Sequence, residues 1–289
     1  MNRSLRSGQV GKKKISILNI VVFIFLSLWC LSMFACLFWL LNNSVKSGLE
    51  YEWSQVELAK EPIKYLRNYI DAFTEMTVKG NNFLDMLWNT VWMTFGNISL
   101  QLISSLVFSY IVARYKFPGR DVIYWVIIIR MMLVTVGTLP ATYRLYDALG
   151  ITNSPLFLIT NLHGTANFLI YYSVFKGLSK DFAESAFVEG ASHFKVFYKI
   201  MLPQVVGVII ATVTSSFIAN WNEYMTFILY MDKYPSIASG IYYFKLASEA
   251  DNYPMLLAAV VMSIIPVVVL FATFQKQFIN IDLSGGLKG

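Results

Sequence analysis

Groups able to engage a polar solute recur at helical spacing inside otherwise apolar stretches of this chain. Asn97, Gln101, Ser105 and Ser109 follow one another every four residues, as do His163, Asn167 and Tyr171, and again Thr212, Ser216 and Asn220. That spacing puts each set along one side of a helix. Amides, hydroxyls and an imidazole in such stripes hold a solute by hydrogen bonds; they do not break its bonds. The same groups can instead join helix to helix, because a polar side chain is costly against lipid and must face protein or water. Arg130, near the middle of another apolar stretch, needs a partner, a cavity or a route to an interface. Further along, Trp221 and Tyr224 offer flat faces for stacking, and Asn222 and Glu223 offer hydrogen-bonding groups. These four could equally anchor the chain at a membrane boundary.

Chemistry of other kinds has no foothold in the sequence. There is no GxxxxGK[ST] loop to cradle a nucleotide, no HExxH, no Cys/His cluster and no Ser elbow, so no catalytic residue, metal site or bound cofactor is expected. Cys30 and Cys36, six apart in one apolar stretch, fall on roughly opposite helix faces and read as packing thiols.

One polar segment looks built for a task. From Ser179 to Pro203 the pattern predicts two short amphipathic helices. Ser179 caps the first, whose opening turn carries Asp181 and whose apolar face is Phe182, Ala183, Ala186 and Phe187. Gly190 ends it, since glycine takes a left-handed helix terminus at least cost. Ser192 starts the second, with Phe194, Phe197, Tyr198 and Met201 at i, i+3, i+4 and i+7, and Pro203 opens the next apolar stretch. Such a pair needs a groove to lie in or a headgroup surface to rest on. Seated in a partner's groove, it would pass rigid-body motion to the helices it joins.

The elements that hold these residues follow from composition. Of 289 residues 56% are hydrophobic and only 14% charged, against about a quarter charged in soluble domains. Six stretches have the roughly 20 apolar residues that a span needs: Ile17 to Leu41, Met86 to Ala113, Val122 to Leu139, Pro155 to Phe175, Val205 to Tyr230 and Asn252 to Phe274. The first is too long for the core of a signal peptide and no cleavage site follows it, so it is expected to be retained. The expected fold class is therefore an all-α integral membrane protein with six spans. Residues 1–16 form an inner N-terminal segment, 17–274 the membrane domain with its core at 83–274, and 275–289 an inner C-terminal tail. Placing both termini inside gives the inner segments an excess of Lys and Arg and the outer ones an excess of acids, the bias that orients membrane proteins. The net charge of +6 is thus explained by lipid and insertion, and no nucleic-acid partner is implied. The outer loop from Asn42 to Asp85 is expected to hold one or two short amphipathic helices, and Pro140 and Pro266 to kink or end helices.

The segment 179–203 resembles the "EAA" loop of bacterial ATP-binding-cassette importer permeases. Glu184, Ala186, Gly190, Ala191, Phe197, Ile200, Leu202 and Pro203 match its pattern; Ser185, Glu189 and Ser179 are conservative departures. The likeness runs along nearly the whole chain. Asn89-Thr90, Ala113-Arg114 with Phe117, Gly119 and Arg120, Asn220-Trp221-Asn222, and Gly285-Gly286-Leu287-Lys288-Gly289 resemble the carbohydrate branch, the maltose-type second permease subunit in particular. The resemblance implies a type I importer permease fold in a bacterial cytoplasmic membrane and a non-catalytic subunit. Its expected partners are a second homologous permease, two ATPase subunits (identical or different) that carry ATP and Mg, and an extracytoplasmic solute-binding protein that meets the loop from Met231 to Asp251. It further implies that Glu184, Ala186, Glu189, Gly190, Ala191, Phe194, Phe197 and Pro203 form the ATPase-coupling surface. Gly286, Leu287 and Lys288 would be a tail contact with the ATPases. His163, Asn167, Tyr171, Asn220, Trp221, Asn222, Glu223, Tyr224 and Arg130 would line the path of a carbohydrate, an oligosaccharide in particular. The rival readings are a permease of the same fold for a peptide or polyol and, from another class, an autonomous channel or intramembrane enzyme.

Overall fold

The computed structural model describes residues 17–133, 137–162, 165, 167–247 and 253–285, with 276–285 as backbone only. In chain order the helices are α1 (Ile17–Ser44), α2 (Gly48–Trp53), α3 (Pro62–Tyr65), α4 (Arg67–Thr74), α5 (Phe83–Arg114), α6 (Arg120–Met132) and α7 (Leu139–Ala148). A 3₁₀ turn, Pro155–Asn161, precedes α8 (Phe168–Gly177), α9 (Asp181–Val188) and α10 (His193–Val196). A π segment, Phe197–Met201, leads to α11 (Leu202–Gln204), α12 (Val206–Trp221), α13 (Met225–Tyr230), α14 (Ile237–Ala247) and α15 (Tyr253–Gly285). The loop before α5 holds three short helices, α2 to α4, one more than its pattern suggested.

The central element is α5. It starts in a capping box, with Asn82 Oδ1 accepting from the Asp85 amide at 2.9 Å and Asp85 Oδ2 from the Asn82 amide at 3.1 Å, which satisfies two of the orphan donors of a helix start. It ends at extended Tyr115, just ahead of Phe117 and Pro118, where a proline forbids continuation. Against it pack α8, α12, α14 and the 3₁₀ turn, while α15 packs on α1, α4, α12 and α14. Gly240 lets α14 approach α5, since a Cβ there would lie 2.1 Å from Met86 Sδ.

Hydropathy located the apolar stretches but not their continuity. Among the described residues, α1, α5 and the stretch of α15 up to Gln275 are long and apolar enough to cross a membrane unbroken. The stretch expected from Val122 to Leu139 is 13-residue α6, which rises only about 20 Å. Gly137 (φ +78°) lies beyond its end, and Pro140 sits in the first turn of α7. That expected from Pro155 to Phe175 is the 3₁₀ turn and α8, with Asn167 at φ +56° between them. That expected from Val205 to Tyr230 is α12 and α13. Asparagine and glycine tolerate left-handed backbone, and broken helices at membrane depth are allowed where protein or water covers the freed groups. Pro266 lies inside α15, which continues past residue 275 to Gly285. One other expectation is corrected: Cys30 and Cys36 are exposed thiols on α1, not packed ones.

Three apolar clusters hold the bundle. One joins α4, α5, α12, α14 and α15 through Ala72, Met86, Phe217, Trp221, Ile237 and Ala259. One joins α5, the 3₁₀ turn and α13 through Met93, Phe157 and Phe227. The third joins α5 and α8 to the segment 179–203.

Candidate functional site

The segment 179–203 forms a two-helix elbow whose turn is fixed by backbone chemistry. Ser179 Oγ accepts from the Asp181 amide at 3.2 Å and donates to Asp181 Oδ2 at 2.9 Å, starting α9. At the far end Gly190 has φ +80°. Its amide donates to Phe187 O at 3.0 Å and the Ala191 amide reaches back to Ala186 O at 2.9 Å. That pair of bonds is a Schellman motif, which needs a left-handed residue at its corner. Ser192 then caps α10, accepting from the Lys195 amide at 3.3 Å. Pro203 does not open the next span. It has no N–H to give the Lys199 carbonyl, the preceding turns widen to the π segment, and the chain bends by 76° at Val205 before α12 begins.

The elbow has two faces with different environments. Ala186, Val196, Met201 and Val205 are buried with Leu106, Tyr110, Tyr171 and Phe175, and Ala191 and Phe197 pack against that cluster. The Arg114 guanidinium at the end of α5 donates to the carbonyls of Leu178 (2.8 Å) and Ser179 (3.3 Å). Tyr115 Oη and His193 Nδ1 are 3.1 Å apart. The elbow is thereby fastened to α5 and α8 by both packing and polar contacts. Its other face carries Glu184, Glu189, Gly190 and Phe194, all exposed. Phe194 is 75% exposed and Val188 90%. Phe194 stacks on Tyr198, itself exposed, with ring planes 2° apart. Exposed aromatic rings beside carboxylates form a patch of the kind that marks an interaction surface.

Within the bundle, the polar stripes meet one another. Gln101 Nε2 donates to Asn161 Oδ1 (3.0 Å), Asn161 Nδ2 to Asn97 Oδ1 (2.7 Å), Asn97 Nδ2 to Asn220 Oδ1 (3.2 Å) and Asn220 Nδ2 to Ser216 O (2.8 Å). Four amides so link α5, the 3₁₀ turn and α12. Asn161 was absent from the sequence-derived set because its 3₁₀ turn breaks the helical period that would have flagged it. Tyr171 is buried, its hydroxyl bonded to Thr212 Oγ1. Asn167, Tyr171, Gln101, Thr212 and Ser216 line a cavity of about 10 Å³, near the lower limit for a single water. Among the described residues this cavity holds nothing larger than a water.

The remaining candidates divide. Trp221 is turned inward at 4% exposure, stacked on Phe217, with its indole N–H donated to Ser263 O at 3.0 Å. Its ring is occupied by helix packing and has no open face. Asn222 donates back to Ile218 O, and Glu223 Oε1 accepts from the Thr226 amide in the first turn of α13. Tyr224 is exposed and stacked on Tyr242. Arg130 is exposed and donates to Thr165 Oγ1 at 3.0 Å. His163 and the tail residues Gly286, Leu287 and Lys288 lie outside the described residues. At the end of the bundle opposite the elbow, Lys79 reaches Asp232 and Tyr243, and Tyr243 Oη donates to the same Asp232 oxygen at 2.8 Å. Partial burial pushes the Asp232 carboxyl up, but the bonds from Lys79 and Tyr243 and the lysine charge outweigh it and hold it below the usual range. The same contacts outweigh burial at Lys79 and hold its ammonium above the usual range. Among the described residues no group of His, Cys, Asp and Glu is placed to hold a metal.

The family model described as "Binding-protein-dependent transport system inner membrane component" matches residues 105–278, a stretch that contains the whole elbow. The chain is 26% identical over 259 residues to the diacetylchitobiose uptake system permease protein NgcG of Streptomyces coelicolor, covering 87% of this chain and 83% of that one. It is 25% identical over 276 residues to the arabinooligosaccharides transport system permease protein AraQ of Bacillus subtilis (95% and 97%). It is 27% identical over 214 residues to the maltodextrin transport system permease protein MdxG of Bacillus subtilis (72% and 76%). Among solved structures, a chain of a bacterial ABC transporter that imports the acidic polysaccharide alginate superposes with TM-score 0.77 at 21% identity, over 92% of this chain and 98% of that one. A chain of a bacterial alginate transporter in complex with its pentasaccharide-bound periplasmic protein superposes with TM-score 0.60 at 12% identity, over 90% and 93%. The fold is that of these importer permeases.

Proposed function

Because the chain belongs to the family of binding-protein-dependent transport system inner membrane components, we propose that it is one permease half of an ATP-driven importer for a carbohydrate, an oligosaccharide in particular. The two-faced elbow carries this reading. Its exposed side, with Glu184, Glu189, Gly190 and Phe194, docks into a cleft of an ATPase subunit. Its buried side, with Ala186, Ala191 and Phe197, is fused to α5 and α8, so a push on the elbow moves the bundle as a body. Pro203 marks where that rigid unit meets α12. ATP and Mg reside on two ATPase subunits, and a second, similar permease completes the pathway. The elbow faces the cytoplasm, as do both termini, and the Gly286, Leu287 and Lys288 tail adds a second ATPase contact. On the opposite side a solute-binding protein delivers substrate to the loops around Lys79 and Asp232. Sugar as cargo is supported by the relatives, which are named for oligosaccharide uptake. Asn167, Asn220, Asn222, Glu223, Tyr224 and Arg130 contact it when the pathway opens.

Copurification and uptake test this together. The complete complex is expected to retain its ATPase and to take up a labelled oligosaccharide only with the external binding protein present. Glu184→Lys reverses the charge at the docking face and is expected to release the ATPase and abolish uptake. An ATPase still bound to that variant would refute the docking face, and uptake of amino acids but no sugars would refute the cargo.

A further inference from the structure

We infer that a basic cavity at the foot of α5, behind the elbow, seats the phosphate of an anionic phospholipid headgroup. The cavity measures about 330 Å³, and Arg114, Lys116, Arg120, Lys176 and Lys180 converge on it, with Glu184 the sole acid in its lining. These cations come from three separate places: the end of α5 and the turn after it, the start of α6, and the region where α8 hands over to α9. Arg120 is paired with Asp121 at 2.7 Å. The other four make no ion pair among the described residues. Arg114 gives one terminal nitrogen to two carbonyls and its Nε has no partner, so the guanidinium that lines the cavity has hydrogen-bonding capacity left unused.

Position selects a lipid over a soluble anion. The cations stand where the membrane helices leave their apolar stretches, which is the depth of headgroups. A second hollow of about 320 Å³ shares Lys116 and Arg120 and runs out to Val122. From there the exposed surface is apolar, with Val122 at 65%, Ile123 at 40% and Trp125 at 60% exposure. A headgroup held by the lysines therefore has a wall for its acyl chains, and Trp125 stands at the boundary where amphipathic rings collect. Ala183 and Glu184 of α9 line the same cavity, so an occupied site ties the elbow to α5 and α8 through the lipid.

The test uses the purified full-length chain in nanodiscs, with retained lipids counted by native mass spectrometry. Wild type is expected to keep phosphatidylglycerol in preference to phosphatidylcholine. A lysine beside an anionic headgroup is worth about fivefold in binding, so Lys116→Gln should weaken phosphatidylglycerol retention by about fivefold and Lys116→Gln with Lys180→Gln by about 25-fold. Phosphatidylcholine retention should not change, and Lys60→Gln with Lys233→Gln at the other end of the bundle should have no effect. Lys116 and Lys180 are both exposed, so the variants keep the fold, and the single substitution provides a graded check. Equal phosphatidylglycerol retention by wild type and the double variant would overturn the site. Displacement of the lipid by glycerol phosphate at equal concentration would overturn the lipid assignment and give the site to a soluble phosphate ester.

Discussion

If the elbow is divided into a docking face and a transmitting face, two substitutions two residues apart must fail in opposite ways. Val196 is fully buried in the cluster with Tyr110 and Phe175, whereas Phe194 is 75% exposed and touches Tyr198. Val196→Ala removes two methyl groups, about 1.6 kcal/mol of transfer free energy at ~0.8 kcal/mol per carbon, and the unfilled space raises the cost to about 2–3 kcal/mol. Hydrogen exchange reads this directly. Amides of α9 and α10 should open about 30–150 times more readily in Val196→Ala, while those at the centre of α5 should be unchanged. Phe194→Ala loses one exposed stacking contact and should move the same amides by less than about threefold, within the ±0.5 kcal/mol of surface substitutions. In the assembled complex the order inverts. A buried aromatic anchor is worth about 1–4 kcal/mol, so Phe194→Ala should lower ATPase retention at least about fivefold. Val196→Ala should keep the ATPase bound and lose uptake per ATP hydrolysed, because the push is no longer passed on. The reasoning is refuted if Phe194→Ala loosens the free chain as much as Val196→Ala, or if it leaves ATPase retention untouched.

Other outcomes follow from single contacts. Gly190→Ala meets no atom within 4 Å of its new Cβ, so its whole cost is the left-handed backbone, about 1–2 kcal/mol; exchange in α9 should rise accordingly, and Gly190→Asn should be milder than Ala. Asn97→Ala removes the middle of the four-amide chain and its two side-chain bonds, costing about 1 kcal/mol at ~0.6 per bond in membranes; a cycle with Asn161→Ala should be non-additive in thermal unfolding, and additive behaviour would mean that the two are not coupled. The Lys79 and Asp232 pair sets a pH window. The carboxyl, held below 3.8, contributes stability above that pH that is lost as pH falls through its folded value, and the ammonium, held above 10.5, contributes below that pH and loses it as pH rises through its folded value. Because both are more than a third exposed, the plateau between is worth only about 0.5–1 kcal/mol; unfolding of wild type and Asp232→Asn should differ by that much at pH 7 and converge as acid protonates the carboxyl in the folded state, and a difference that persists once Asp232 is protonated would refute the pairing.

Much of the elbow was readable because its determinants are local. A serine, a glycine eleven residues on and another serine two residues later fix two helix starts and one stop through bonds spanning no more than five residues, and such bonds leave their mark in residue type. Hydropathy also found the apolar stretches, since bilayer thickness sets one length scale for all of them. What it could not find were the breaks. The left-handed Asn167 and the 76° bend at Val205 depend on which neighbours cover the freed backbone, and those neighbours are distant in sequence. The inward turn of Trp221 was hidden for the same reason. At the end of an apolar stretch an indole reads as an open platform or an anchor, and only the arrival of Ser263, forty-two residues later, turns it inward. Asn161 escaped notice because a 3₁₀ turn carries no 3.6-residue signature.

The breaks are also what give a stiff elbow something to move. A helix uninterrupted from α10 into α12 would carry a push along its own axis and rotate little. The missing N–H of Pro203 prevents that: the turn before it widens, Leu202 bonds back to Phe197, and Val205 leaves helical geometry. Val205 itself is buried in the same cluster as Ala186 and Val196, so the corner is packed while its backbone is irregular. On the proposed coupling, motion of the elbow would be conserved on the α5 and α8 side, where packing and Arg114 make one body, and redirected on the α12 side, where it would arrive as a change of angle. At the other end of α12 stands Asn220, the last amide of the chain that runs through Asn97 and Asn161 to Gln101. A swing of α12 about Val205 would load the Asn97 to Asn220 bond first, because of the bonds between these four amides it is the one that joins α5 to α12.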